Sequence, residues 1–148
     1  MKKITKVISI ALVLVMALAV LTSCSKYPAL KKAFEAKEYT ENTTFTGLAE
    51  TIKEQLGKEE YAVEMHLLTK SNGITSVFIV EFKSTEDLAK FYNESNTVQG
   101  LVKDISTNED LKKVYEALEN AGYVKGNCFC IPLSVLYVNE ITTIVKEA

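Results

Sequence analysis

The sequence predicts a small α+β domain in two layers, in which a β-hairpin and at least one further strand pack against about four helices. An alternating segment, a Ser-Asn-Gly turn and a continuous apolar segment follow one another over residues 61–82 and predict the hairpin. Apolar residues spaced three and four apart predict helices before and after the hairpin in the chain. A hairpin followed by helices is typical of the α+β class, and a ferredoxin-like arrangement is one architecture that fits this order.

The first predicted helix of this domain covers residues 46–56, where Leu48, Ile52 and Leu56 recur at four-residue steps before a glycine. The strand that follows alternates in polarity, which predicts one buried face. The side chains expected on the buried face are Tyr61, Val63, Met65 and Leu67. We therefore expect His66 to lie with Glu64 on the opposite, non-core side.

The second strand of the hairpin covers residues 74–82 and is nearly all apolar from Val77 to Phe82. Such a strand is expected at the centre of the sheet, covered on both faces. The preceding Ser71-Asn72-Gly73 supplies residues that adopt the positive φ angles of a tight turn.

Three further elements follow the hairpin. Ser84 is a predicted N-cap, with Glu86 and Asp87 in the first helical turn. The next helix has the clearest period, and it is predicted to end before Gly122; its apolar side chains are Leu111, Val114, Tyr115 and Leu118. A third strand is expected over residues 123–131, whereas residues 93–104 show no clear period.

The segment after Pro132 has two interpretations. Its apolar positions fit a terminal amphipathic helix over residues 133–147. Its β-branched residues would instead suit a hairpin turning at Asn139-Glu140. The helix is the preferred interpretation.

The amino-terminal segment has the organisation of a signal peptide. Lys2, Lys3 and Lys6 precede 15 residues, 7–21, that are apolar except for Ser9. A helix of that length spans about 22 Å, which is short of the roughly 30 Å hydrocarbon core of a bilayer. A cleaved signal therefore fits better than a permanent membrane span.

Leu21-Thr22-Ser23-Cys24 resembles the lipobox of bacterial lipoproteins, in which a branched apolar residue and two small residues precede a cysteine. The resemblance covers residues 1–24. It implies cleavage between Ser23 and Cys24, attachment of diacylglycerol to the Cys24 thiol, and an anchor of fatty acyl chains such as palmitate on the extracytoplasmic face of the cell membrane. Two acyl chains anchor a protein stably in a membrane, whereas binding through a single chain is marginal. An ordinary signal peptide would instead leave Cys24 as a free thiol.

The sequence thus divides into residues 1–23 as the signal peptide, 24–42 as the lipidated cysteine and a tether with a brief helix near Pro28, and 43–148 as the globular domain. From Cys24 onward the chain carries 14 lysines, no arginine and 19 acidic residues, a net charge near −5. This charge argues against nucleic acid as a partner and against adhesion to anionic lipid. Membrane contact is therefore assigned to the lipid anchor.

Cys128 and Cys130 are the most distinctive pair in the globular part. Residues two apart on a strand share a face, so both sulfur atoms could join His66 and Glu64 at a zinc ion. The alternative is that both cysteines are small apolar side chains that fill the core. A disulfide between them would close a very small ring and is disfavoured.

Catalytic residues are not predicted. The chain has one histidine and no G-x-S-x-G segment, and the acidic pairs Glu86-Asp87 and Glu109-Asp110 suit helix N-termini. We expect no cofactor other than the lipid on Cys24. The resulting hypothesis is a membrane-anchored lipoprotein that acts as a non-catalytic binding or interaction module at the cell envelope, with a protein or small molecule as partner. The alternative is a metal-handling or redox lipoprotein that uses Cys128, Cys130 and His66.

Overall fold

A five-stranded antiparallel sheet forms the centre of the domain. The computed structural model describes residues 25–59 and 62–148 of the chain. The sheet has the order β1-β2-β3-β5-β4, and its strands are β1 (Tyr39–Asn42), β2 (Ala62–Lys70), β3 (Ser76–Phe82), β4 (Val124–Lys125) and β5 (Cys128–Pro132). The α+β class is thereby confirmed.

Six α-helices surround the sheet in the described part of the chain. They are α1 (Tyr27–Glu35), α2 (Leu48–Glu59), α3 (Thr85–Glu94), α4 (Asn96–Leu101), α5 (Leu111–Ala121) and α6 (Val138–Glu147). One turn of 3-10 helix, Val135–Tyr137, precedes α6. None of the described helices combines the length and the apolar character needed to cross a bilayer.

Strand register places alternate residues of β2, β3 and β5 on the same face of the sheet. His66 lies opposite Ile79 of β3, which lies opposite Cys130 of β5. Directly opposed residues of antiparallel strands point to one side, so these three side chains share a face. Leu67, Phe78 and Ile131 point to the other face by the same register.

Helices cover both faces, so the predicted two-layer arrangement is wrong and the domain has three layers. On the face of Phe78, a core forms with residues of α2 to α5, including Ile52, Leu88, Val98 and Leu118. On the opposite face, a second core contains Leu30 and Phe34 of α1 and Ile141, Ile144 and Val145 of α6. This is why β3 is buried at six of its seven positions, as its continuous apolar sequence predicts.

The ferredoxin-like arrangement is not the one observed. That fold interleaves two split βαβ units. Here only one such unit is present: β3 and β4 are connected by α3 to α5 and run parallel with β5 between them, whereas β1, β2 and β3 are neighbours in chain order.

The predicted tether belongs to the folded domain, so the boundary placed at residue 43 is wrong. Leu30 and Phe34 of α1 are fully buried, and β1 pairs with β2 from Tyr39 opposite Lys70 to Asn42 opposite Leu67. The error has a physical reason: α1 has only two fully buried side chains and β1 only Tyr39, which is too few to produce a clear period.

Several local predictions are confirmed. The terminal segment forms α6 and not a hairpin, and Ser84 accepts a hydrogen bond from the amide of Asp87 at the start of α3. Gly122 ends α5 with φ of 88°, and a Cβ there would lie 2.6 Å from the Thr142 carbonyl oxygen. The strand predicted over residues 123–131 is instead two strands, β4 and β5, joined by a turn in which Gly126 has φ of 58°.

Candidate functional site

His66 is buried beneath α1, with 6% of its surface exposed. Its position on one face with Glu64 is as predicted, but the expectation that this is a non-core side is wrong, because α1 and α6 cover that face. The predicted alternation along β2 also fails at Val63, which is 64% exposed, because the register shifts between Ala62 and Glu64. Tyr61 lies outside the described residues.

The imidazole of His66 bridges two carboxylates from the neighbouring strands. Its Nδ1 lies 2.8 Å from Oε1 of Glu41 on β1, and its Nε2 lies 2.9 Å from Oε2 of Glu81 on β3. A carboxylate only accepts hydrogen bonds, and an imidazole donates from both nitrogens only when it is doubly protonated. The arrangement therefore holds either an imidazolium or one carboxylic acid proton.

Tyr27 of α1 covers the imidazole. The two ring centroids are 3.4 Å apart with an interplanar angle of 9°, and the tyrosine hydroxyl donates to Glu41 Oε1 over 2.9 Å. Burial and this hydrogen bond to Glu41 raise the pKa of the Tyr27 hydroxyl well above its ordinary value. The hydroxyl thus remains a proton donor to Glu41 throughout the neutral range.

Glu41 is held as a carboxylate by three donors. Lys31 Nζ lies 3.0 Å from its Oε2, while His66 and Tyr27 contact its Oε1. Burial acts to raise the pKa of Glu41, but the hydrogen bonds from His66, Lys31 and Tyr27 together lower it to about 2. Glu41 is therefore a fixed negative charge against the Nδ1 side of His66.

Glu81 is buried, with 7% of its surface exposed, and its second oxygen accepts a hydrogen bond from the hydroxyl of Ser25. Ser25, Tyr27 and Lys31 all belong to the segment that precedes β1. One wall of the site is therefore built by residues 25–31.

Glu64 completes the cluster. It lies directly opposite Glu81 in the β2–β3 register, and ligand-type atoms of Glu64, His66 and Glu81 all lie within 4.8 Å of one another. Its side chain is exposed, and within residues 25–59 and 62–148 it has no hydrogen-bond or ion-pair partner. Like charges directly opposed on neighbouring strands are destabilising.

Cys128 and Cys130 share the His66 face of the sheet, as their spacing predicts, but both are fully buried and free. Burial, and then the Glu81 carboxylate, raise the pKa of the Cys128 thiol to about 12. Burial likewise raises the pKa of Cys130 well above its ordinary value. Both are thus buried, protonated thiols in the core.

The metal set predicted from Cys128, Cys130 and His66 is not formed. In the part of the chain that the structure describes, the cluster of possible ligand atoms contains Glu64, His66 and Glu81 and neither sulfur. Cys24 and Ser23, the predicted lipidation and cleavage residues, lie outside the described residues.

Sequence reasoning missed Glu41, Glu81, Tyr27 and Lys31. Glu81 could have been found from the sequence, because it is the one charged residue between Val77 and Phe82 and a charge in a buried strand requires a partner. Glu41 could not have been found in this way, since its neighbours in the chain are polar and it reaches His66 only through strand pairing.

A search of protein-family models, curated proteins and solved structures found no significant match to this chain. The site must therefore be interpreted from its own geometry.

Proposed function

We propose that this protein is a bacterial lipoprotein, anchored through lipid on Cys24 at the extracytoplasmic face of the cell membrane, and that its domain is a non-catalytic binding or interaction module there. The observation that carries the proposal is the adjacency of two features. The lipobox-like segment ends at Cys24, and the hydroxyl of the next residue, Ser25, is hydrogen-bonded to Glu81 of the central strand.

Such an anchor would leave almost no tether. Consecutive Cα atoms are about 3.8 Å apart, so a lipidated Cys24 would lie next to a residue whose side chain contacts the sheet. The domain would be held against the headgroups by the end of the sheet that contains Glu81. Its partners would then be membrane components or proteins that approach the membrane surface.

The opposite end of the sheet supports an interaction role. The β2–β3 turn and the segment after β5 emerge there together, because the Leu133 amide donates to the Ser76 carbonyl over 3.0 Å. These two segments expose Ile74 at 66%, Val135 at 50% and Leu136 at 78%. Exposed apolar side chains on adjoining segments offer a surface on which a protein partner could bury apolar area.

A non-catalytic role is supported by the state of the histidine. His66 is the one histidine of the chain, and both of its nitrogens face carboxylate oxygens. It is therefore not available as the general base for a serine or cysteine nucleophile.

The anchor is tested by mass spectrometry of the amino-terminal peptide after expression of the full chain in a bacterium. We expect a peptide that begins at Cys24 and carries diacylglycerol. Cys24→Ala should abolish the modification, whereas Cys128→Ala, which removes a different cysteine, should leave it intact. An intact leader, or a processed amino terminus without lipid, would overturn the proposal.

The interaction role is tested separately with a photo-reactive amino acid placed at Leu136 in the membrane-bound protein. We expect a defined cross-linked product that is absent when the same group is placed at Lys112, an exposed residue of α5. The same products from both positions, or none from either, would argue against a specific partner at this end.

A further inference from the structure

We propose that Glu64, His66 and Glu81 bind a divalent transition-metal ion, with Glu41 as the hydrogen-bond acceptor that orients His66. This site shares His66 and Glu64 with the zinc set predicted from the sequence, but it contains Glu81 in place of the two cysteines. It extends the proposed function without depending on lipid attachment.

The backbone places the three side chains for coordination. Glu64 and His66 are two residues apart on β2, and Glu81 is the direct cross-strand neighbour of Glu64 on β3. All three therefore point to one face, and their ligand-type atoms lie within 4.8 Å of one another. Bonds of about 2.0–2.2 Å place two ligands of one ion up to about 4.4 Å apart, so small side-chain rotations suffice.

The charge distribution points independently to a cation. Glu41, Glu64 and Glu81 bring three carboxyl groups to one imidazole, and Lys31 is the one lysine among the described residues that pairs with any of them. Glu64 is left opposite Glu81 with no partner of its own in the described chain. A divalent ion between them would replace this repulsion with attraction to both.

Each of the two buried ligands already has a hydrogen-bond partner that would orient it toward a metal ion. With a metal on Nε2, His66 must be protonated on Nδ1, and that nitrogen lies 2.8 Å from the Glu41 carboxylate. Tyr27 and Lys31 hold Glu41, and Ser25 holds the second oxygen of Glu81. The proton now shared between Nε2 and Glu81 would leave to solvent when the metal binds.

The donor set selects the class of metal. One imidazole nitrogen and two carboxylate oxygens suit Zn²⁺, Mn²⁺, Fe²⁺, Co²⁺ or Ni²⁺, whereas Cu⁺ prefers the thiolate ligands that are not in this cluster. Three protein ligands leave at least one coordination position for water or a further ligand. The exposed side chain of Glu64 provides the route from solvent.

The test uses the full chain, purified in mild detergent from whichever cell fraction contains it, stripped with a chelator and titrated with Zn²⁺ or Co²⁺. We expect one ion per chain by calorimetry, a rise in the unfolding temperature on metal addition, and a Co²⁺ spectrum without a thiolate charge-transfer band. Glu64→Gln should weaken Zn²⁺ binding at least about tenfold, because it removes a charged ligand. Glu116→Gln on α5 removes an exposed carboxylate far along the chain, and this variant should bind Zn²⁺ with the affinity of the unaltered protein.

Glu64→Gln also separates a ligand role from a structural one. Because Glu64 is exposed and unpartnered among the described residues, its loss should leave the unfolding temperature of the metal-free protein unchanged or slightly higher. Absence of a metal-dependent rise in the unaltered protein, equal Zn²⁺ affinity in Glu64→Gln, or a thiolate band with Co²⁺ would each overturn the proposal. Lipid analysis of the same sample is independent of these outcomes.

Discussion

Glu64 of β2 lies directly across from Glu81 of β3, and His66, two residues further along β2, is hydrogen-bonded to that same Glu81 over 2.9 Å. The sheet thus holds two carboxylates and an imidazole together on one face. Glu41 of β1 fixes the other nitrogen of the imidazole, so three adjacent strands contribute to one cluster. Five predictions follow from this cluster and from the elements that enclose it.

Glu41→Gln should reduce Zn²⁺ affinity by about 10–100-fold, although Glu41 is not a proposed ligand. The reason is that a neutral amide accepts the Nδ1 proton of His66 less strongly than a carboxylate whose pKa is held at about 2. Calorimetric titration of the chelator-stripped protein measures the effect. Replacement of Glu38, an exposed acid that precedes β1, with Gln is the matched control. Unchanged affinity in Glu41→Gln would show that Glu41 does not orient His66.

Phe34→Ala should lower the free energy of unfolding by about 3–5 kcal/mol, because Phe34 is fully buried between α1 and the rest of the second core. Lys32→Ala, on the exposed side of the same helix, should change it by no more than about 0.5 kcal/mol. Urea unfolding followed by circular dichroism measures both. A negligible effect of Phe34→Ala would mean that α1 is a tether after all.

Replacement of two glycines, Gly122 and Gly100, by alanine should change the free energy of unfolding in opposite directions. Gly122→Ala should destabilise by about 1–2 kcal/mol or more, since φ is 88° and the new Cβ would meet the Thr142 carbonyl at 2.6 Å. Gly100→Ala should stabilise by about 0.5–1 kcal/mol, because this position is within α4 and has open space around it. Thermal unfolding of the two variants compares them directly. A shift of the unfolding temperature in the same direction for both would contradict the assigned backbone conformations.

Cys128 and Cys130 should resist alkylation in the folded protein at pH 8 and react fully in urea. Both are buried, and burial raises the pKa of each thiol, to about 12 at Cys128. Only the thiolate reacts rapidly. Mass spectrometry after timed exposure to iodoacetamide measures the labelling. If Cys24 carries lipid, the unfolded mature chain should show two reactive thiols, and rapid labelling before unfolding would contradict the burial of either.

Stability should fall above pH 10 in part through Tyr39. Burial, and then the Glu140 carboxylate, raise the pKa of Tyr39 well above the value of 10.0 that it has when exposed. Its folded-state pKa is therefore higher than its unfolded-state pKa, so its contribution is complete below pH 10 and is lost as the pH rises further. Urea unfolding between pH 8 and 11 should show a smaller decline for Tyr39→Phe than for the unaltered protein. Equal declines would exclude Tyr39 as a contributor.

Local signals allowed much of the fold to be predicted. The Ser84 cap, the end of α5 at Gly122 and the Asn72-Gly73 turn each depend on the conformational preferences of a few consecutive residues, and each is found in the structure. The same holds for α6, where the helical period of the apolar residues outweighed their β-branching. The lipobox resemblance is equally local, but it lies outside the described residues and stays a prediction.

The sequence by itself thus determined the α+β class, the hairpin, the start of α3 at Ser84, the end of α5 at Gly122 and the single face that Glu64 and His66 share. Only the tertiary structure decided that α1 and β1 join the domain, that His66 is buried, and that Glu41 and Glu81 lie at its two nitrogens. The physical reason is that these features depend on strand pairing and on helix packing between residues far apart in the chain, as with His66 and Glu81 at 15 positions, Glu41 and His66 at 25, and Ser25 and Glu81 at 56. Such contacts leave little periodic trace in the polar residues that make them.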